Sequence, residues 1–312
     1  MTTAANRGKP QIRLGDFVFS KLATIAGASI LVTLAAVAFF LFIQALPAFA
    51  PDAELGAQAP DGPLAYVAPY VFGTLYGAII ALLIATPLAI GIALYISHYA
   101  PRRFAQTLGY IIDLLAAIPS VVYGLWGILV LAPFLTPTYN WLNQNLGWIP
   151  LFAGQVSATG RTMLTVGIVL AIMILPIMAA IIREVFLQTP KLHEEAALAL
   201  GATRWEMIRM AVIPFGRPGI ISAMMLGLGR ALGETMAVAM VLSPASIISF
   251  ALLTSQNSNT IAANIALDFP ESGGDFRSLL IGTGLMLFLI TMVVNMLARY
   301  IISRRAEFSG AN

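Results

Sequence analysis

The chain contains no cysteine and only two histidines. Without thiols there is no disulfide framework, thiolate metal site or cysteine nucleophile. His98 and His193 stand far apart and outside any HExxH-type spacing, so they read as solvated or interfacial side chains rather than metal ligands. Charge is scarce too: Asp, Glu, Lys and Arg make up 10% of the 312 residues, against about 25% in soluble domains. No stretch matches GxxxxGK[ST], which removes a P-loop able to hold ATP phosphates. Ser-Lys, Asp-Asp or clustered His pairs at helical spacing, as intramembrane catalysis needs, are missing from the apolar runs. These absences argue against an enzyme, a metal site or a cofactor held by this chain.

What the chain has is apolar length. Hydrophobic residues make up 59% and mean hydropathy is +0.87, which marks an all-α polytopic membrane protein. Six runs are long enough to cross a bilayer: residues 22–46, 71–96, 110–135, 163–182, 219–242 and 279–302, forming a single transmembrane domain over 22–302. The first is too long for a signal-peptide core and is expected to be retained. Pro87 and Pro176 fall inside spans two and four, and Ile118-Pro119-Ser120-Val121-Val122-Tyr123-Gly124 interrupts span three; a kinked or packed helix accommodates each. The loop over 136–160 is rich in Asn and holds Trp141 and Trp148, suited to anchoring at headgroup level.

Lys and Arg are distributed unevenly. Four precede span one (Arg7, Lys9, Arg13, Lys21), two follow span two (Arg102, Arg103), five run from Arg183 to Arg217, and three close the chain (Arg299, Arg304, Arg305). The alternate loops hold Arg161 and Arg277. Basic loops stay cytoplasmic. The amino-terminal segment 1–21, the tail 303–312 and the polar segment 189–214 are therefore all expected on the cytoplasmic side.

That segment, 189–214, has room to fold outside the membrane as a coupling loop. Thr189 is placed to cap orphan amides, Pro190 suits a first helical position, and Gly201 can end the helix. Thr203-Arg204-Trp205-Glu206 has capping-box spacing and opens a second short helix, which Pro214 is expected to stop. Two short helices meeting at Gly201 form a knob able to fit a groove in another subunit and transmit a push.

Span five buries charge. Arg230 and Glu234 are four residues apart, so a continuous helix puts them on one face, where each neutralises the other and lowers an insertion cost of about 2.5–3.5 kcal/mol for the arginine. Gly229 and Gly233, with Ala237 one turn on, make a GxxxG stripe for close helix packing. A structural ion pair is one reading. Lining a substrate route is the stronger one, because intramembrane charges usually face cavities. Asp113 reads as solvated, and Asn295 as bonding a neighbouring helix.

Glu195-Ala196-Ala197, three residues, Gly201, nine residues, then Ala211-Val212-Ile213-Pro214 resembles the EAA loop of ABC importer permeases. That pattern ends in Ile-x-Leu-Pro; Ala211 and Ile213 depart from it but stay apolar. Within that class, Ile118 to Gly124, Gly227-Leu228-Gly229-Arg230-Ala231-Leu232-Gly233-Glu234-Thr235-Met236-Ala237-Val238 and Thr260 to Ala266 resemble the phosphate-specific permeases, PstC type. The PstA type usually has proline where Met236 stands. The resemblance covers most of the chain from span two onward and is tightest over 184–239.

The resemblance implies a type I ABC importer permease (MetI-like) fold in a bacterial cytoplasmic (inner) membrane. It implies a PstA-type permease partner, two PstB-type ATPases docking on Glu194, Glu195, Ala196, Ala197 and Gly201, and a PstS-type extracytoplasmic phosphate-binding protein on the loops before spans two, four and six. The ATPases would use ATP and Mg; membrane lipid surrounds the chain and nucleic acid has no part. Arg230 would offer the anion a cation, with Glu234 competing for it. Sulfate or molybdate permeases remain alternatives. A self-sufficient ion-coupled carrier calls for more spans, internal repeats and helices broken at the midplane, none of which the sequence displays.

Overall fold

The computed structural model describes residues 14–55 and 59–306. Most of the expected segment 1–21 and of the tail 303–312 lies outside them. Among the described residues, six helices are long and apolar enough to cross a membrane: Gly15–Phe49, Pro63–Tyr99, Ser120–Leu146, Met163–Leu187, Arg204–Leu232 and Gly274–Tyr300. In chain order the elements are α1 (Leu14–Ala45), α2 (Pro63–Leu94), α3 (Arg102–Ala116), α4 (Ser120–Trp126), α5 (Ala132–Leu146), α6 (Met163–Leu187), α7 (Lys191–Ala199), α8 (Arg204–Met207), α9 (Ile213–Leu232), α10 (Met236–Val241), α11 (Ile261–Asp268) and α12 (Gly274–Ala306). Single π-helical turns extend α2 to Tyr99, join α4 to α5 and join α8 to α9.

The core is built around α6, which packs against α2 on one side and α9 on the other. On α2 the contact is a ridge of alanines, with Ala81, Ala85, Ala89 and Ala93 fully buried at every fourth position. Small side chains in that register let two backbones come close. Gly167 of α6 completes the fit, since a Cβ there would collide with Ile80. Along the far side of α6, Met173, Ile174, Met178 and Ile182 are also fully buried. The first helix lies apart, against α12.

Several helices are longer than their apolar runs. Hydropathy marks the hydrocarbon crossing, whereas a helix ends where its backbone finds other partners. Three departures have larger consequences. The expected third span over 110–135 is two pieces: α3 ends at Ala116, Pro119 is extended with φ −59° and ψ 140°, and a continuous helix then runs from Ser120 to Leu146. The first part of the expected Asn-rich loop, residues 136–146, is therefore helical. Its polar side chains tie the helix outward rather than breaking it: Tyr139 exchanges a hydrogen bond with Thr165 at 2.8 Å, and Asn143 Nδ2 donates to the carbonyls of Phe152 and Gly154.

The second departure is that Pro214 does not stop the helix that begins at Arg204. A wide turn over Ile208–Val212 precedes it, which accommodates the proline ring and leaves its missing N–H unneeded. The third is at the other end of the same helix. The expected span 219–242 is broken after Leu232, and residues 233–235 lead into the separate short helix α10.

On the side opposite the coupling segment, the loop after α10 folds back over α2. Its two two-residue strands, β1 (Pro244–Ala245) and β2 (Asn257–Ser258), pair in parallel. A Cβ at Gly73 would collide with the carbonyl of Asn259, so only glycine lets this loop sit so close. The Ile261 amide donates to Thr74 Oγ1 at 2.9 Å, and Thr260 Oγ1 caps α11 by accepting from the Ala263 amide. Asn264 is buried beside the Tyr66 hydroxyl.

Candidate functional site

The segment expected to form a knob does fold as two short helices meeting at Gly201. That glycine has φ +86°, and the Ala202 and Gly201 amides donate to the Ala197 and Leu198 carbonyls, the paired bonds of a left-handed helix stop. The capping box is complete: Thr203 Oγ1 accepts from the Glu206 amide at 3.3 Å, and the Thr203 amide donates to Glu206 Oε2 at 2.8 Å. Thr189 does not cap α7. Its side chain is buried with no hydrogen-bond partner among the described residues, and Pro190 takes the cap position instead.

The two acidic residues of α7 part company. Glu195 and Ala196 are exposed, while Ala197 is buried against the π turn after α8. Glu194 is half-buried and meets His98, at the end of α2, with 3.5 Å between Oε1 and Nε2. The imidazole is largely buried, and its Nδ1 lies 2.7 Å from Ser97 Oγ. Of the two readings expected for His98, solvated or interfacial, its burial removes the first, and Glu194 does not point outward with Glu195. What α7 presents instead is an apolar ridge, Leu192 (77% exposed), Ala196 and Leu200 (90% exposed), at helical spacing. Such a ridge on a polar segment has the composition of a protein contact. The EAA spacing located the knob, but nothing in it marked His98 as the anchor.

A single helix connects that knob to the buried charges. From Arg204 to Leu232 it runs 29 residues, about 43 Å at 1.5 Å per residue. Gly227 lies against Met178 of α6, and Gly127 lies against Val169 of α6 and Val241 of α10. The break over 233–235 therefore falls between the levels of Met178 and Val169, well inside the span. The break in the third span faces it: α4 packs on α10, and a Cβ at Gly124 would come within 2.9 Å of the Ala237 backbone. Broken helices inside the membrane are thus present after all, and they bring Ile118 to Gly124 against Gly227 to Val238.

This geometry changes the roles expected for the charged pair. Because the helix ends at Leu232, the i, i+4 register is lost, and Arg230 and Glu234 form no ion pair. Glu234 is 8% exposed and accepts a hydrogen bond from the Ala237 amide at 3.0 Å, so its carboxylate caps α10. Arg230 is partly exposed on the last turn of α9, close enough to act electrostatically on Tyr123. Tyr123 in turn donates to the Leu115 carbonyl at 2.9 Å, satisfying the end of α3 across the break. Arg230 has no carboxylate partner among the described residues.

The GxxxG expectation is also corrected. A Cβ at Gly229 would meet nothing within 4 Å, and one at Gly233 only the Gly229 carbonyl, so neither packs against another helix among the described residues. Glycines that do make close contacts around the break include Gly227, Gly124 and Gly127, with Ala237 buried as expected. Asn295 is exposed and forms no hydrogen bond among the described residues, whereas Asp113 is exposed in a cleft it shares with Arg183. Outside the break, Arg161 Nη2 donates to the Leu242 carbonyl at 2.7 Å and closes the far end of α10.

Residues 85–307 match the family described as binding-protein-dependent transport system inner membrane component. The chain belongs to that family. This permease is 45% identical over 300 residues to the Mycobacterium tuberculosis phosphate transport system permease protein PstC 2, covering 93% of this chain and 92% of the relative. It is 40% identical over 312 residues to PstC of Mesorhizobium japonicum, covering 96% and 93%. Among solved structures, the permease resembles a bacterial ABC transporter involved in import of the acidic polysaccharide alginate, with TM-score 0.55, 17% identity and coverage of 92% of this chain and 98% of that one. It also resembles the inward-facing MetNI methionine ABC transporter, with TM-score 0.52, 14% identity and coverage of 77% and 94%. At such identities these likenesses concern the fold, that of an ABC importer permease. The permease is a multi-pass inner membrane protein that works in a transport complex with other subunits.

Proposed function

We propose that the chain is the PstC-type permease subunit of an ATP-driven importer of inorganic phosphate. The observation that carries the substrate is the agreement between relatives named as phosphate permeases along nearly the whole chain and the unpaired guanidinium of Arg230 at the meeting of two broken helices. Phosphate carries about one to two negative charges near neutral pH. An arginine fork recognises its oxygens in pairs, and the partly buried position of Arg230 strengthens the attraction by limiting water. Glu234 contributes by holding α10 in place behind Arg230, and its buried carboxylate also opposes permanent capture of an anion.

The path would be completed by a PstA-type permease. Two PstB-type ATPases, using ATP and Mg, would receive the ridge of Leu192, Ala196 and Leu200 with Glu195 beside it. Gly201 fixes the angle between α7 and α8, and the continuous helix from Arg204 then carries motion to Arg230 without an intervening joint. A PstS-type binding protein would rest on the opposite face, where both loops before α2 and α12 are acidic. The distribution of Lys and Arg supports a cytoplasmic position for both termini.

Sulfate and molybdate offer similar oxygens. The test is ATP-driven uptake of labelled phosphate, sulfate and molybdate by the reconstituted complex. Uptake of phosphate in preference to the other two supports the proposal; preference for either of them overturns it.

A further inference from the structure

A second cationic site lies away from Arg230, on the side of the coupling segment. The end of α2, the first three turns of α3 and the end of α6 enclose a cleft of about 550 Å³. Its charged lining is Arg102, Arg183 and Asp113. Arg183 is the unusual member. Its Nη1 comes so close to Gly109 that any Cβ there would collide with it. Its Nε is buried without a hydrogen-bond partner, and neither Asp113 nor any other described carboxylate comes within ion-pair distance of it. A buried cationic donor without a partner is costly, and a ligand that accepts its hydrogen bond removes that cost.

The rest of the cleft indicates what kind of ligand. Arg102 stands exposed at the start of α3, and Arg183 lies one turn from the end of α6, so both cations sit where the spans leave the membrane. Tyr110 and Leu187 line the same cleft with apolar groups that are 76% and 56% exposed. Two arginines against one aspartate suit a singly charged phosphodiester better than a dianion. An apolar lip beside that charge suits a molecule carrying acyl chains.

We infer that this cleft between α2, α3 and α6 binds the phosphate group of a membrane phospholipid, held by Arg183 and Arg102, with an acyl chain along Tyr110 and Leu187. Basic pockets between helices at the membrane edge recognise headgroups through this combination. A bound lipid would wedge α3 against α6 and steady the break at Pro119. The inference stands on the membrane fold alone and does not depend on which solute is transported.

Native mass spectrometry of the full complex, extracted in mild detergent, tests it. The wild type is expected to retain phospholipid, and Arg183→Gln to retain about fivefold less, the value of roughly one basic contact near the surface. Gly109→Ala keeps the arginine but displaces its guanidinium, and is expected to show the same loss; Arg102→Gln, at an exposed position that folding does not need, is expected to show a smaller one. Equal retention by the wild type and all three variants overturns the inference. A second arm offers delipidated wild type and Arg183→Gln either phosphatidylglycerol or labelled inorganic phosphate. Binding of the lipid that depends on Arg183 supports the assignment. Arg183-dependent binding of inorganic phosphate with no binding of lipid overturns it.

Discussion

The imidazole of His98 at the end of α2 lies 3.5 Å from the carboxylate of Glu194 on α7. This contact ties α7 to the second span, while Glu195, one residue on, stays exposed. When the imidazole carries its proton the contact is an ion pair, worth about 1 kcal/mol after allowance for the partial exposure of Glu194. Replacing His98 with Ala should leave the apolar ridge of α7 intact and so preserve ATPase binding. The amount of solute moved per ATP hydrolysed, measured in proteoliposomes, should fall several-fold.

Gly201 and Thr203 set the angle of the knob by different means. Gly201 occupies a left-handed backbone region and faces open space, so Gly201→Val introduces backbone strain rather than a steric clash. Thr203→Ala removes a cap, at a cost of about 1 kcal/mol. Co-purification of the ATPase should drop sharply for Gly201→Val and only slightly for Thr203→Ala.

Two glycines of the buried site should respond in opposite ways. Gly124→Ala puts a Cβ 2.9 Å from the Ala237 backbone and 3.0 Å from Met240 Sδ, an overpacking that costs about 1–3 kcal/mol. Gly229→Ala enters open space on a helix and should leave the thermal unfolding temperature of the solubilised protein unchanged or slightly higher. A large loss of stability with Gly229→Ala would show that a partner helix packs there.

Arg161 closes α10 from outside the break. Substituting Gln leaves the Leu242 carbonyl without its charged donor, at a cost of about 1.5–3 kcal/mol. Thermal unfolding of Arg161→Gln should show that loss, with partners still able to assemble.

The existence of the spans and the left-handed stop at Gly201 were legible in the sequence, because long apolar runs and short capping patterns are local signals. The capping box at Thr203 and Glu206 was legible for the same reason. The breaks were harder to see. Gly233-Glu234-Thr235 interrupts the apolar run for only three residues before it resumes at Met236, so its length reads as one span, and the i, i+4 spacing of Arg230 and Glu234 suggested a pairing that the turn at Gly233 removes. Pro214 misled in the opposite direction, since a π turn absorbs a residue that ordinarily stops a helix. The anchor role of His98 was out of reach because its partner is distant in sequence and neither residue belongs to a pattern. The packing glycines Gly124 and Gly127 lie in stretches whose spacing alone gives no hint of which neighbour they face.

The central claim is that motion entering at α7 ends at a guanidinium available to the transported anion. Its most direct test is ATP-driven phosphate uptake by the reconstituted complex carrying Arg230→Gln, alongside partner co-purification and ATP hydrolysis. The account predicts that uptake is abolished while assembly and hydrolysis persist; uptake at the wild-type rate would contradict it.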